Sequence, residues 1–180
     1  MVDVIAERGL EAATMRNVAA AAGISLAQVQ YYFRSKEELV AAAFQHISEL
    51  FYNKLATIDL TAPPRHVLRQ AVELWLPLDE SSARDARVWL AFTAAAATSP
   101  TLREIAATTD NEQRTALARA LDAAAAAGEL PEATDTKTEA VVLLAVIDGL
   151  VIQALAMPAE ARPAFLTASI DAHLNRLFTT

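Results

Sequence analysis

The sequence of 180 residues contains no cysteine, only four glycines, and aromatic residues that make up just 6% of the chain. The absence of cysteine excludes disulfide bridges and thiolate metal sites. Hydrophobic residues nevertheless reach 54%, with much alanine and leucine, and this balance favours packed helices over β-sheets. Segments of strand length in which apolar and polar residues alternate are also lacking. The sequence therefore predicts an all-α protein.

Long apolar runs are missing as well. The longest run extends from Ala140 to Ile147 and is followed by Asp148 and Gly149, whereas a membrane-spanning helix needs roughly 20 apolar residues. No signal-peptide pattern opens the chain. We therefore expect a protein with no membrane segment and a cytoplasmic location.

Acidic residues outnumber basic ones, and the formal net charge is −7. Taken alone, this charge argues against a nucleic-acid partner, because lysine and arginine make the contacts to phosphate. The distribution of charge favours one, since no acidic residue lies between Glu11 and Glu37 and this stretch contains Arg16, Arg34 and Lys36. One short segment of an acidic protein is therefore locally cationic.

Glycines, prolines and capping residues divide the chain into about nine predicted helices. Three of the four glycines are expected to end helices, while Ser25, Ser35 and Thr136 each place a capping oxygen three residues before a glutamine or glutamate. The helices are predicted at roughly 2–8, 14–22, 26–32, 36–58, 64–77, 82–97, 100–127, 136–157 and 160–178. A change in composition near His46 separates a domain of residues 1–46 from one of residues 47–180.

The segment from Met15 to Phe33 has the pattern of two short helices that cross at Gly23. Ala19 is small where the helices approach each other, and Gly23 allows a turn conformation that other residues resist. In this arrangement the second helix faces outward and can enter the major groove of DNA, where its side chains suit contacts with base edges. The residues predicted to be buried between the two helices are Val18, Ala19, Ala22, Ile24, Val29 and Tyr32.

Several motifs of this segment resemble the TetR (tetracycline-repressor) family of transcription factors. They are AERG at residues 6–9, TMRNVA at 14–19, AGIS at 22–25 and YYFRSKEEL at 31–39. The resemblance implies a three-helix helix-turn-helix domain that binds a double-stranded DNA operator, followed by a larger helical domain for effector binding and dimerisation. Gln30 and Tyr32 depart from the family's usual tyrosine and histidine, and the first helix begins later than in the family, so we expect it to be shortened. The implied DNA contacts are Thr14, Arg16, Ser25, Leu26, Ala27, Gln28, Gln30, Tyr31, Tyr32 and Lys36.

Some of these residues also have a structural interpretation. Gln28 can complete a capping box with Ser25 instead of contacting a base. Tyr32 and Phe33 can serve mainly as core residues, because aromatic side chains stabilise so small a module through the area that they bury. Arg16 is expected to be exposed in either case, and a DNA contact is its favoured interpretation.

The predicted eighth helix is apolar nearly all round from Ala140 to Ala156, and the ninth has a similar excess of apolar residues. Pairing both helices with their copies in a second chain would bury the surplus as a four-helix interface. The resemblance implies the same, because TetR-type proteins dimerise through their last two helices, and the alternative is burial within one chain. The residues predicted at the homodimer interface are Ile147, Leu150, Val151, Ile170, His173, Leu174 and Leu177.

The fourth to eighth helices are predicted to surround a pocket for a small apolar effector. Effector binding is expected to favour one spacing of the two recognition helices over another, and the fourth helix is expected to transmit the change. The resemblance implies a repressor that is released from a palindromic operator, which is the commoner form of regulation in the family. The alternative for each aromatic residue is ordinary packing. The predicted pocket residues are Phe51, Trp75, Trp89, Phe92, Gln113 and Gln153, with Arg87 as a further polar candidate.

Two alternative functions stay open at this level. Catalysis is disfavoured, because His46, His66 and His173 are widely spaced and the sequence has neither a phosphate-binding glycine loop nor a nucleophile motif. No metal or cofactor site is predicted. A helical protein-interaction module that no longer binds DNA is the second alternative, and the short first helix is compatible with it.

Overall fold

The computed structural model describes residues 1–178 and contains nine α-helices in that range, with no β-strand among them. A 3₁₀ turn at Leu10–Ala12 follows the first helix, and another at Ala159–Ala161 precedes the last. The prediction of an all-α fold with about nine helices is therefore confirmed. The α-helices are α1 (Val2–Arg8), α2 (Met15–Ala22), α3 (Leu26–Tyr32), α4 (Lys36–Leu55), α5 (Pro64–Glu73), α6 (Glu80–Ala96), α7 (Pro100–Ala126), α8 (Thr136–Leu155) and α9 (Arg162–Leu177).

Side-chain caps start several of these helices. Ser25 and Ser35 each accept a hydrogen bond from the backbone N–H group three residues later, at 3.2 and 3.1 Å. The predicted cap at Thr136 is corrected to Asp135, which accepts hydrogen bonds from the N–H groups two and three residues later. A carboxylate at this position also interacts favourably with the positive end of the helix dipole. The charge of Asp135 therefore favours it over the neighbouring hydroxyl.

Two helices end a few residues before their predicted ends. Helix α4 stops at Leu55, and just beyond it the hydroxyl of Thr57 donates a hydrogen bond to the carbonyl of Lys54 at 2.7 Å. Helix α5 stops at Glu73, and the next three N–H groups, those of residues 74–76, each donate to the carbonyl three residues earlier before Pro77 ends the turn. Both differences lie within loops and leave the order of the elements unchanged.

The N-terminal helices are joined to the rest of the chain by a shared hydrophobic cluster, which we call the hinge cluster. It connects α1 and α4 to α6 and to the start of α7. The rings of Phe44 on α4 and Phe92 on α6 are stacked in it, with centroids 3.8 Å apart and planes 5° from parallel. The predicted boundary near His46 thus falls inside an unbroken helix that contributes to both parts of the molecule. The buried members of the hinge cluster are Ile5, Ala13, Val40, Ala43, Phe44, Ile47, Val88, Phe92, Ala96 and Leu102.

A larger core is formed where α5 to α9 pack together. Helix α8 contributes Leu143 and Ile147, which are fully buried, whereas Val141 and Ile152 on its opposite side are 50% and 47% exposed. By length and composition, α8 is the one helix among the described residues that could cross a membrane. A core helix passes the same test, and α8 packs against α6, α7 and α9.

Candidate functional site

The turn between α2 and α3 sets the direction of α3. Gly23 has φ +66° and ψ +28°, in the left-handed region that glycine adopts without the steric cost of a side chain. The N–H groups of Gly23 and Ile24 donate to the carbonyls of Ala20 and Ala19 at 3.3 and 3.1 Å, which closes the end of α2. Val29 is the single buried residue of α3. The rest of α3 therefore lies at the protein surface.

The prediction that Ala22, Ile24 and Tyr32 are buried is corrected by their exposure. Ile24, in the turn before α3, is 44% exposed. Tyr32 is 72% exposed, because a helix of seven residues packed on one side can bury only a narrow strip. Phe33, directly after α3, is partly buried and packs against the residues that join α2, α3 and α4. The buried residues that join α2, α3 and α4 are Val18, Ala19, Val29 and Leu39.

The residues predicted to contact DNA all lie at the surface of the α2–α4 segment. Eight of them are exposed, and Leu26 and Lys36 are partly buried. Tyr31 is 81% exposed and meets the ring of Tyr32 edge-on, with centroids 5.1 Å apart. Adjacent exposed aromatic side chains that form one patch are typical of an interaction surface. The eight exposed residues are Thr14, Arg16, Ser25, Ala27, Gln28, Gln30, Tyr31 and Tyr32.

The capping interpretation of Gln28 is confirmed in the free protein. Its Oε1 accepts a hydrogen bond from the backbone N–H of Ser25 at 3.0 Å, while Ser25 Oγ accepts one from the N–H of Gln28 at 3.2 Å. This reciprocal pair satisfies two donors at the start of α3. The side-chain NH₂ group of Gln28 has no partner in it, so capping leaves a donor available to a base edge.

The cations near this surface are held loosely. Lys36 Nζ lies 3.7 Å from a carboxylate oxygen of Glu11, whose side chain is 99% exposed. Exposed ion pairs contribute only about 0–1 kcal/mol, so a phosphate can replace Glu11 at little cost. Arg16 and Arg34 are exposed as well. The locally cationic segment of the sequence is therefore accessible to a polyanion.

A cavity of about 90 Å³ lies between α4 and α8, with walls from α4, α6, α7, α8 and the end of α5. Aromatic side chains dominate it, and the rings of Phe51 and Trp75 lie 4.4 Å apart between centroids. Both tryptophans of the chain are in the wall. The lining residues are Phe44, Ile47, Ser48, Phe51, Tyr52, Lys54, Leu74, Trp75, Ser82, Asp85, Ala86, Trp89, Thr109, Gln113, Asp148 and Val151.

The cavity contains four of the six predicted pocket residues. They are Phe51, Trp75, Trp89 and Gln113. Phe92 lies instead in the hinge cluster, stacked on Phe44, and Gln153 is exposed on α8. The further candidate Arg87 also lies outside the lining and donates a hydrogen bond to Glu80 at 2.8 Å. The prediction that these three residues line the pocket is wrong, because each lies on a side of its helix that faces away from the cavity.

Two carboxylates in the cavity wall were not predicted from the sequence. Asp85 of α6 and Asp148 of α8 both lie among the aromatic residues. Burial raises the pKa of Asp85, against the opposing effect of Lys54 and Arg84. Burial also raises the pKa of Asp148, to about 6, and repulsion from Asp110 adds to it. An acidic residue that interrupts an apolar helix was the available sequence evidence for Asp148.

A contact between α4 and α7 stands at the wall of the cavity. The hydroxyl of Tyr52 donates to Glu112 Oε2 at 3.3 Å, and Thr109 and Gln113 of α7 line the cavity beside it. Burial raises the pKa of Tyr52, and the charge of Glu112 raises it further. The neutral side chain of Tyr52 therefore links α4 to α7 beside the cavity.

The predicted dimer residues require correction, because most are covered by their own chain. Six of the seven are buried in the core of a single molecule, while His173 is partly buried and its Nε2 has no hydrogen-bond partner among the described residues. Sequence could not resolve which side of α8 and α9 faces inward, since both helices are apolar on more than one side. The six buried residues are Ile147, Leu150, Val151, Ile170, Leu174 and Leu177.

The outer side of α8 carries a second apolar surface, which we call the outer face. Val141, Val142 and Ile152 on it are each at least 42% exposed, and Ala145 and Gly149 lie between them on the same side. A Cβ added at Gly149 would meet nothing within 4 Å in the single described chain. Glycine inside a helix costs roughly 0.5–1 kcal/mol relative to alanine. The packing of one chain offers no reason for that cost.

Comparison with known families gives two matches along the chain. Residues 2–43 match the family model described as "Bacterial regulatory proteins, tetR family". Residues 64–179 match the one described as "BetI-type transcriptional repressor, C-terminal". The first match ends within α4 and the second begins at the start of α5, so the C-terminal part of α4 lies between them.

Curated relatives are transcriptional regulators. The chain is 30% identical over 177 residues to the HTH-type transcriptional regulator BetI of Rhizobium meliloti (strain 1021), and the alignment covers 96% of this chain and 84% of that protein. It is 38% identical over 93 residues to the HTH-type transcriptional regulator PksA of Bacillus subtilis (strain 168), covering 51% of this chain. That alignment covers 45% of the length of PksA, so the chain spans less than half of this relative.

Solved structures share the fold over nearly the whole chain. A transcriptional regulator from Rhodococcus sp. Rha1 is 37% identical, with a TM-score of 0.87 and coverage of 98% of this chain and 90% of that one. A regulator from Saccharomonospora viridis, solved in complex with choline, is 23% identical, with a TM-score of 0.89 and coverage of 99% and 94%. At that identity the second likeness establishes the fold alone.

Proposed function

Because this chain belongs to the TetR family of bacterial regulatory proteins, we propose that it is a repressor that leaves a palindromic operator when a small organic cation fills its cavity. The family membership makes it a ligand-responsive, DNA-binding transcriptional regulator. The observation that carries the proposal is the outward position of α3, with one residue buried and two exposed tyrosines. A regulator that reads DNA works in the cytoplasm.

The operator contacts that we propose divide into two classes. Tyr31, Gln30 and the free amide of Gln28 are candidates for base edges in the major groove, because they lie on the exposed helix. Arg16 and Lys36 flank that helix and are candidates for phosphates, which position the protein without reading sequence.

We expect Tyr31→Ala and Arg16→Ala to weaken operator binding by about 1–3 kcal/mol each. The Arg16 variant should bind every duplex more weakly by a similar factor, because a phosphate contact does not read sequence. The slope of log affinity against log salt concentration should also fall by about one. Fluorescence anisotropy with an operator selected from random duplex DNA measures both quantities. Arg119→Ala is the matched control, because Arg119 is an exposed arginine on α7 and lies outside the α2–α4 segment.

If neither substitution changes binding, α3 is not the DNA-reading helix. If the wild-type protein shows no salt-dependent binding to any duplex, the interaction-module alternative replaces the proposal. Affinity that falls steeply with salt concentration comes from contacts with phosphates, and a helical interaction module that does not bind DNA makes none.

The homodimer that we propose uses the outer face of α8 together with the neighbouring side of α9. A reader of a palindrome needs two recognition helices about one helical turn of DNA apart, roughly 34 Å. Val141 and Ile152 leave apolar surface exposed in one chain, and Gly149 allows a second backbone to approach closely. His173 stays in the proposal at the edge of this surface, with its unpartnered Nε2.

The cavity favours an effector with a positive charge over the neutral apolar molecule that the sequence predicts. Trp75, Trp89 and Phe51 line it, and the face of such a ring attracts a cation by about 0.5–2 kcal/mol, most strongly when water is excluded. Asp85 and Asp148 add negative charge in partly buried positions. The choline bound by the Saccharomonospora viridis regulator is consistent with this class of ligand.

Two helices connect the cavity to the DNA-reading segment. Helix α4 lines the cavity with Phe51 and begins beside α3 at Lys36. Helix α6 lines it with Trp89 and packs Phe92 against Phe44 in the hinge cluster. A ligand that changes the spacing of α4 and α6 therefore moves α3. It causes release from DNA only if it binds more tightly to the conformation that does not bind the operator.

We expect choline to lower the affinity for the operator, and its uncharged isostere 3,3-dimethylbutan-1-ol to leave that affinity unchanged at equal concentration. Phe51→Leu removes a ring and should weaken choline binding about 2- to 30-fold, from the loss of one cation–π contact. Phe165→Leu is the matched control, because Phe165 is a partly buried ring outside the cavity. Tryptophan fluorescence measures binding, and anisotropy of labelled operator measures release. Equal effects of choline and the isostere would contradict the cationic class.

A further inference from the structure

The two carboxylates of the cavity differ in how well they are compensated. Asp85 has positive charge nearby, since Lys54 and Arg84 lower its pKa and His46 contributes in the same direction. Lys54 also lines the cavity. An effector's cation at Asp85 would therefore compete with a lysine that is already present.

Asp148 lacks such compensation. Within residues 1–178, no group donates a hydrogen bond to it and none forms an ion pair with it. The charged groups that shift its pKa are on α7, where Arg114 is already hydrogen bonded to Asp110 at 3.2 Å. Asp110 repels a negative charge on Asp148, and Arg114 opposes this effect only in part.

Other charged groups around α8 are directed elsewhere. On α9, the pKa of His173 is lowered by burial and by the positive charge of Arg176, against the opposing effect of Glu139 near the start of α8. On α4, Lys54 acts on Asp79 and Asp85. Arg114 is the one positive group of residues 1–178 that lowers the pKa of Asp148, and it is already paired with Asp110. Asp148 therefore lies short of countercharge in a wall that contains several aromatic side chains.

Resting on the proposed function, we propose that Asp148 is the specificity-determining residue that selects a cation, and that a proton competes with the effector for this carboxylate. Either positive species supplies the missing charge. The effector's ammonium group brings a permanent charge to the ionised carboxylate, whereas a proton neutralises it and leaves only an aromatic cavity. Release of the repressor by the effector then weakens as the medium becomes acidic.

The direction of the pH dependence follows from burial. Burial raises the pKa of Asp148 to about 6, so the carboxylate is fully ionised near pH 8 and about one-tenth ionised near pH 5. A cation that needs the ionised form binds about tenfold more weakly near pH 5 than near pH 8. Binding in the intermediate range releases a proton, which calorimetry in buffers of different ionisation enthalpy detects.

The test titrates the full chain with choline and with benzyltrimethylammonium between about pH 5 and pH 8, using the fluorescence of Trp75 and Trp89. Asp148→Asn is expected to bind both cations weakly and with no dependence on pH. Glu104→Gln is the control, because Glu104 is an exposed carboxylate of α7 outside the cavity, and this variant should keep the wild-type affinity and pH profile. The uncharged 3,3-dimethylbutan-1-ol should bind the wild type and Asp148→Asn alike. Thermal unfolding checks the fold of each variant.

The outcomes separate this inference from the proposed function. If both cations bind with the same affinity at the two pH values, or if Asp148→Asn keeps the pH dependence, competition at Asp148 is overturned while the cationic class stands. If neither cation binds near pH 8, the cationic class fails, and the competition fails with it. An unchanged choline affinity in Asp148→Asn near pH 8 also overturns the assignment.

Discussion

If the protein forms the proposed homodimer, Gly149→Leu is expected to convert it to a monomer and to abolish specific operator binding. The new side chain would stand in the middle of the outer face of α8, where nothing in a single chain lies within 4 Å of an added Cβ. It leaves the fold of one chain intact, and leucine favours a helix interior over glycine by several tenths of a kcal/mol. The same substitution blocks the close approach of a second backbone.

The expected loss is large, because specific recognition depends on two linked half-sites. Specific complexes are typically about 10³–10⁷ times tighter than non-specific ones. A monomer keeps one half-site and loses the contribution of the second, so we expect at least about a thousandfold drop in affinity for the palindrome. Light scattering or analytical ultracentrifugation measures the mass, and anisotropy measures the affinity.

Two matched variants make the result specific to this surface. Gly149→Ala keeps a small residue, so it should stay dimeric while adding about 0.5–1 kcal/mol of helix stability. Ala116→Leu places leucine at an exposed position of α7 and should change neither mass nor DNA binding. A dimeric Gly149→Leu variant with wild-type affinity would show that the second copy uses a different surface.

Local features of the sequence predicted the N-terminal part well. The turn at Gly23 and the caps at Ser25 and Ser35 depend on residues a few positions apart, and each is formed as expected. The same local logic failed for Ile24 and Tyr32, because burial depends on what the remainder of the chain brings against them. Both are exposed, since α3 packs on one side only and no part of residues 1–178 covers the turn that precedes it.

Features that depend on long-range packing could not be predicted. Helix α8 is apolar nearly all round, so its composition does not show that Ile147 faces the core while Ile152 faces outward. The cavity is formed by four helices and the turn after α5, and Asp85 and Asp148 lie 63 positions apart in the sequence. Only the packed chain shows that Phe92 belongs to the hinge cluster rather than to the cavity.

Phe92→Ala is expected to destabilise the whole chain by about 3–5 kcal/mol. Phe92 is 1% exposed and stacks on Phe44, so the substitution removes its buried area, leaves a void and breaks a ring contact. The void lies between α4 and α6, in the cluster that joins the DNA-reading segment to the cavity. We therefore expect one cooperative unfolding transition at lower urea concentration, with no separately stable N-terminal domain.

Phe92→Leu distinguishes packing from any other cause, because it keeps most of the apolar volume and should cost less than about 1.5 kcal/mol. Tyr31→Ala removes a ring that is 81% exposed and should leave stability within about 0.5 kcal/mol of the wild type. Circular dichroism and tryptophan fluorescence should report the same midpoint in every variant, since the hinge cluster couples the two parts. Two separate transitions, or a loss below about 1 kcal/mol for Phe92→Ala, would mean that α4 and α6 are not packed together as the stacked rings indicate.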